Sequence, residues 1–284
     1  MIAFAKRNIL LYFRDKGTVF FSLLAVIILI TLYVLFLGDM TSKQLPELPA
    51  KKALLTSWFI AGILAVTSMT TTLGSFGILV EDRANKTYMD FYSSPISRAK
   101  LVGGYILSSV FIGFIMCMVT LFVANMYLYF TGELMLSFNK MVVAGSVILL
   151  SVLASGSMVL LLVSFFKTSN AFAAASTVIG TLLGFLAGIY IPMGGLPDYI
   201  QAIVKLFPVS HSAALFRQIL MEGPLLDTFS TAPAELKQAF QIDMGILYEI
   251  NGKKTSKLFS VLYLLGTTLL FFGLSLLVMI RKNK

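Results

Sequence analysis

Six apolar runs, each long enough to cross a lipid bilayer, dominate this chain of 284 residues. They cover about 18–37, 56–80, 99–130, 141–166, 171–192 and 258–280, and the only charge within them is Lys100 at the start of the third. An uncharged run of ~18 residues or more reads as a membrane helix, because hydrocarbon offers no water to satisfy backbone N–H and C=O groups. The expected fold class is an all-α integral membrane protein with six transmembrane helices. Composition supports this. The chain is 58% hydrophobic and 12% charged, too few polar residues to cover the surface of a soluble domain of this length.

The net charge of +9 does not call for nucleic acid, since Lys and Arg flank membrane helices on the cytoplasmic side. With the N-terminus inside, the short inner segments carry Lys6, Arg7, Arg14, Lys16, Arg83, Lys86, Arg98, Lys100, Lys167, Arg281, Lys282 and Lys284, which is 12 of the 22 basic residues. On the longer outer segments, acids nearly cancel the rest. Both termini are therefore expected in the cytoplasm, and residues 193–257 outside. The chain has one cysteine, Cys117, and one histidine, His211. Neither an intrachain disulfide nor a Cys/His metal site can be built from these.

The leader "IAFAKRNILLYFRDKG" precedes the first run, which lacks a small-x-small cleavage site and is expected to be retained. Residues 2–17 read as an amphipathic interfacial helix with Ile2, Ala5, Ile9, Tyr12 and Phe13 on one side and Arg7 and Arg14 on another, its basic groups at lipid headgroups. A basic tail that only sets topology is the plainer alternative. On the outer side, residues 194–222 predict two short helices that dip into the membrane. Pro197 opens the first, Pro208 breaks the pattern, and Gly223-Pro224 stops the second. A further amphipathic helix within "APAELKQAFQIDMGILYEI" ends at Asn251-Gly252.

Charge concentrates in residues 81–98, between the second and third runs: "EDRANKTYMDFYSSPISR". Residues 84–92 predict a short helix, and Ser94 and Pro95 predict the start of the next. A topology signal needs only Lys and Arg. Here Tyr88, Met89, Phe91 and Tyr92 stand among the charges, a mixture suited to an interface with anchors and a polar rim.

The leader helix, six spans, "EDRANKTYMDFYSSPISRAKLVGGYIL" and the later "IPMGGLPDYIQAIVKLFPVSHSAALFRQIL" together resemble the ABC type-2 permeases, the membrane subunits of ABC exporters, over nearly the whole chain. The resemblance implies that the charged loop is a coupling helix docking into an ATPase, carried here by Glu81, Asp82, Arg83, Lys86, Thr87, Tyr88, Asp90, Phe91 and Tyr92. It places re-entrant helices near the exit of the substrate path. No GxxxxGK[ST] is present. "INGKKTSK" lacks the earlier glycine, so this chain is expected to bind no cofactor and to be no enzyme, with ATP and Mg on separate ATPase chains. Two ATPase subunits and a second copy of this chain, or a similar permease, are implied as partners in the cell membrane, along with lipid. The implied substrate is amphipathic or lipid-like: an antimicrobial peptide, drug, lipid or glycolipid.

Candidates for the path are Thr67, Thr70 and Thr71 within "TSMTTTLGS", Asn125 in the third span, and Phe207 and Phe216. The hydroxyls equally suit close helix packing. His211 is expected to be a structural hydrogen-bonder, and Arg217 to snorkel to headgroups. The rival reading is an ion-coupled secondary transporter or channel. Proton coupling usually uses ionisable groups inside spans, and here only Lys100, at the edge of the third, is charged, whereas a sodium site can use hydroxyl and backbone oxygens.

Overall fold

The computed structural model describes residues 1–37, 48–92, 96–132, 135–230, 232–250 and 252–281. Helix α1 (Ile2–Arg14) leads into α2 (Lys16–Leu32), which continues as a π turn over Tyr33–Leu37. There follow α3 (Lys51–Ala84), α4 (Tyr88–Tyr92), α5 (Arg98–Phe130), α6 (Phe138–Val163) and α7 (Ser169–Leu186). Four short helices come next: α8 (Asp198–Leu206), α9 (Pro208–Leu220), α10 (Glu222–Phe229) and α11 (Ala234–Asp243). A two-stranded antiparallel hairpin, β1 (Glu249–Ile250) and β2 (Lys253–Lys254), precedes α12 (Lys257–Arg281). Helices α2, α3, α5, α6, α7 and α12 are long and apolar enough to cross a membrane, which makes this an all-α membrane protein.

Helix α3 is the axis of the bundle, packed by α5, α6, α7 and α9. Ala61, Leu64, Ala65 and Met69 on it are sealed from the surface. Its small residues let neighbouring backbones approach closely, which is the main source of helix association in lipid. Phe20 on α2, Phe122 on α5, Leu182 on α7 and Leu269 on α12 point outward, the apolar belt a bilayer covers.

Several boundaries differ from the sequence expectation for local reasons. Helix α7 ends six residues before the expected 192 because Gly188 adopts φ +65°. The Ile189 N–H then reaches back to the Gly184 carbonyl at 2.8 Å and that of Gly188 to Phe185 at 3.0 Å, a pattern that closes a helix on a left-handed residue. Gly223-Pro224 does not stop a helix. The break falls at Met221, and the pair lies in the first turn of α10, where proline's missing N–H is not needed. Helix α11 gives out at Gly245 (φ +63°), ahead of Asn251. Ser94, Pro95, Asn251, Lys282 and Lys284 lie outside the described residues.

Helix α1 is amphipathic, but its buried stripe is Phe4, Ala5, Asn8 and Tyr12, while Ile2 and Phe13 are exposed. The expected stripe did not include Phe4. It is instead the centre of the contact with α5, where a Cβ on Gly104 would sit 2.7 Å from the Phe4 ring. Gly104→Leu is therefore expected to lift α1 off the bundle at a cost of about 1–3 kcal/mol. Hydrogen exchange would show this as lost protection of α1 amides, with α6 unchanged.

Candidate functional site

The charged stretch is mostly helix. Helix α3 carries Glu81, Asp82 and Arg83 in its last turn and ends where Lys86 adopts φ +60°. The chain then makes the single turn of α4. A carboxylate in the last turn of a helix opposes the partial negative charge there, and Asp82 is also 6% exposed. Three donors compensate it. Arg7 on α1 forms a fork with Nη1 at 2.7 Å and Nη2 at 2.8 Å from the two carboxylate oxygens, and the Tyr105 hydroxyl on α5 donates at 2.6 Å. Bidentate charge-assisted bonds of this kind are among the strongest polar contacts in proteins. The Asp82 carboxylate in turn holds Arg7 above its ordinary value.

Arg7 also contacts the loop. Its guanidinium carbon lies 5.1 Å from the ring centre of Phe91 and 5.6 Å from that of Phe4, within reach of a cation–ring attraction. Phe4 meets Phe91 edge-on at 5.0 Å and Tyr105 at 4.9 Å. Asn8 reaches Ser108 at 3.4 Å. Arg83 turns the other way and donates to the Val163 carbonyl at the end of α6, at 3.0 Å.

The nine residues expected to couple thus divide. Asp82, Arg83 and Phe91 face the protein, while Glu81, Lys86 and Asp90 are exposed and Thr87 and Tyr88 half-buried. The side chain of Tyr92 lies outside the described residues. Met89 is 50% exposed and is the large apolar side chain of α4 turned outward among those described. The individual partners, Phe4, Arg7, Asn8 and Tyr105, were not singled out from the sequence, although a pairing of Asp82 with the N-terminal helix was open to it. The spacing of Phe4, Asn8 and Tyr12 was a helical stripe that the polar Asn8 concealed.

The path candidates do not converge. The Thr67 and Thr71 hydroxyls donate to the carbonyls of Ile63 and Thr67 on their own helix, and Thr70 bonds Val66 and Thr67. Two serine pairs on facing helices do cross, Ser68 with Ser155 at 3.2 Å and Ser75 with Ser109 at 2.6 Å. Thr67 and Thr71 are buried, and Phe216 is sealed in the core. Phe207 packs at its edge. The Asn125 side chain accepts from the Leu136 N–H at 3.0 Å, tying down the turn between α5 and α6. In this conformation, therefore, these side chains pack the bundle. A small apolar crevice opens elsewhere, between α2, α3 and α5, lined by Ile30, Tyr33, Thr56, Phe59 and Tyr127 among others.

At the opposite end, the described residues between 187 and 257 build a cap around Arg217, which does not snorkel. It is 2% exposed and donates to the carbonyls of Ala187 (2.8 Å), Gly188 (2.9 Å) and Gly245 (3.2 Å). Its guanidinium carbon lies 4.9 Å from the ring centre of Trp58 on α3. Trp58 donates to the Met244 carbonyl at 2.7 Å and Gln218 to that of Ile246 at 2.7 Å. Burial lowers Arg217 to about 10, so it stays protonated at neutral pH. His211 is the structural hydrogen-bonder expected. Its Nε2–H donates to the Lys205 carbonyl at 2.9 Å, its Nδ1 faces Ser260 at 3.3 Å, and its ring stacks on Tyr263 at 4.0 Å. Burial pushes the imidazole down to about 4, so it is neutral at physiological pH.

The sequence profile of a family described as "ABC-2 family transporter protein" matches residues 42–277. No curated protein is a match.

Proposed function

The chain belongs to the ABC-2 transporter family, and on that footing we propose that it is the permease of an ATP-driven exporter whose coupling helix is α4. Membership makes it the membrane permease of an ABC transporter, associated with ABC ATPase subunits. The proposal extends this to direction, coupling and assembly. Residues 81–92 face the cytoplasm with both termini, and residues 187–257 cap the outer end. Two copies of this chain, or one with a similar permease, join two ATPases that hold ATP and Mg. The cargo is an amphipathic or lipid-like molecule leaving the cytoplasm or inner leaflet of the cell membrane.

One observation carries the reading. A five-residue helix stands at the tip of α3 and α5, braced from behind by Phe4 and Arg7, with Met89 on its outer side. A solvated loop that only marks topology needs no such brace. A surface that receives force does.

The test combines topology with association. Single cysteines at Asn85 and Ser230, both exposed, are introduced in a Cys117→Ser background. An impermeant thiol reagent on intact cells is expected to label Ser230 and spare Asn85, and an ATP-binding subunit is expected to co-purify with the tagged chain. Labelling at Asn85 alone would reverse the orientation. Recovery without any ATPase from native membranes would count against α4 as the coupling helix.

A further inference from the structure

Arg7 makes more contacts than an anchor at a lipid interface requires. Basic residues of such helices ordinarily point their charge at headgroups. Lys6 and Arg14, its neighbours on α1, are exposed as that role demands. Arg7 is turned inward, and one flat group performs two tasks at once. Its edge closes on Asp82 with both terminal nitrogens, and its carbon lies over the Phe91 ring, 5.1 Å from the ring centre. Asp82 belongs to α3, Tyr105 to α5 and Phe91 to α4. The guanidinium of one α1 residue is therefore the common neighbour of all three elements that meet at the loop.

We propose that Arg7 is a positioning residue that joins α1, the end of α3 and α4 into one rigid body, so that any displacement of the loop moves α1 with it. The inference rests on reading α4 as the coupling helix for its functional meaning, but not for its geometry. Two features favour a rigid joint over a loose contact. The carboxylate is buried at the unfavourable end of a helix, so releasing Arg7 would strand a desolvated charge. The fork and the ring contact also hold the guanidinium through two different kinds of contact at once, which a single ammonium cannot reproduce. Asn8, bonded to both Arg7 and Ser108, fixes the rotation of α1 about its own axis.

The test measures the joint in the permease alone. Spin labels at Lys6→Cys and Met89→Cys, in Cys117→Ser protein held in lipid nanodiscs, report the distance between α1 and α4. A control pair at Tyr129→Cys and Phe138→Cys, both exposed, reports the far end of the bundle. The parent is expected to give one narrow distance for each pair. Arg7→Gln and Asp82→Asn are each expected to lose the narrow α1–α4 distance and keep the control. Arg7→Lys is expected to behave like Arg7→Gln, because it restores charge but not the fork. A narrow α1–α4 distance surviving in both Arg7→Gln and Asp82→Asn would overturn the proposal. Rescue by Arg7→Lys would overturn the fork argument, and broadening of both pairs would show a general loss of stability in place of a local joint. No ATPase is present, so failure here leaves the exporter reading standing, and absence of an ATPase partner leaves this measurement intact.

Discussion

Arg217→Leu is expected to detach the cap around it from the bundle. The substitution leaves the carbonyls of Ala187, Gly188 and Gly245 without their donor inside the protein. An orphaned buried acceptor costs about 1–3 kcal/mol, so losing the shared donor of three is expected to cost about 3 kcal/mol or more. Leucine also cannot cover the Trp58 ring, which lies beneath the guanidinium. The chain has one tryptophan, so its fluorescence reports this position without added label. The expected result is red-shifted Trp58 emission and a lowered melting temperature, with Arg217→Lys between parent and leucine because one ammonium serves fewer carbonyls. Parental emission and melting in Arg217→Leu would show that the carbonyls find other donors and that the cage is not what holds the cap.

The second large effect concerns ATPase docking. Were the loop's aromatics the docking anchors, Phe91→Ala would remove an interface contact. Phe91 instead packs on Phe4 and Arg7, and Met89 is the apolar group turned outward. Met89→Glu is therefore expected to weaken ATPase binding by about 2 kcal/mol or more, the scale of a central anchor, or about thirtyfold in affinity. Phe91→Ala is expected to act through a loosened α1 and to broaden the loop's position before it weakens binding. Lys86→Ala is expected to be mild, with an effect that shrinks at high salt as exposed charges are screened. Quantitative co-purification of the ATPase at low and high salt, from membranes with equal permease content, separates these outcomes. Full retention of the ATPase by Met89→Glu, with release by Phe91→Ala, would return the anchor to the aromatic face.

Periodicity and charge fall short at the loop because they describe an element's own residues, and the loop's orientation is set by residues far away in sequence. Asp82 and Arg7 are 75 residues apart. Phe91 looked like an exposed anchor because nothing near it in sequence offers it cover. The same limit applies to Thr67 and Thr71. Hydroxyls in a span suit a polar path and helix packing equally well, and the choice depends on whether the neighbouring helix brings polar or apolar atoms. Here the Thr hydroxyls turn back to their own carbonyls, and the serines make the crossing bonds.

The six spans, the all-helical class and a short charged helix after the second span were legible in the sequence. Each depends on a local requirement: an uncharged run long enough for hydrocarbon, or a proline and glycine pattern. The carbonyl cage around Arg217 and the Arg7–Asp82 joint were decided only by the tertiary structure. A buried cation has to find acceptors and a buried carboxylate donors, and which ones they find depends on which backbone turn or helix face packing brings within hydrogen-bond reach. For Arg217 those acceptors are turns opened by Gly188 and Gly245, residues 29 and 28 positions away. For Asp82 the donors are Arg7 on the leader helix and Tyr105 on the next span.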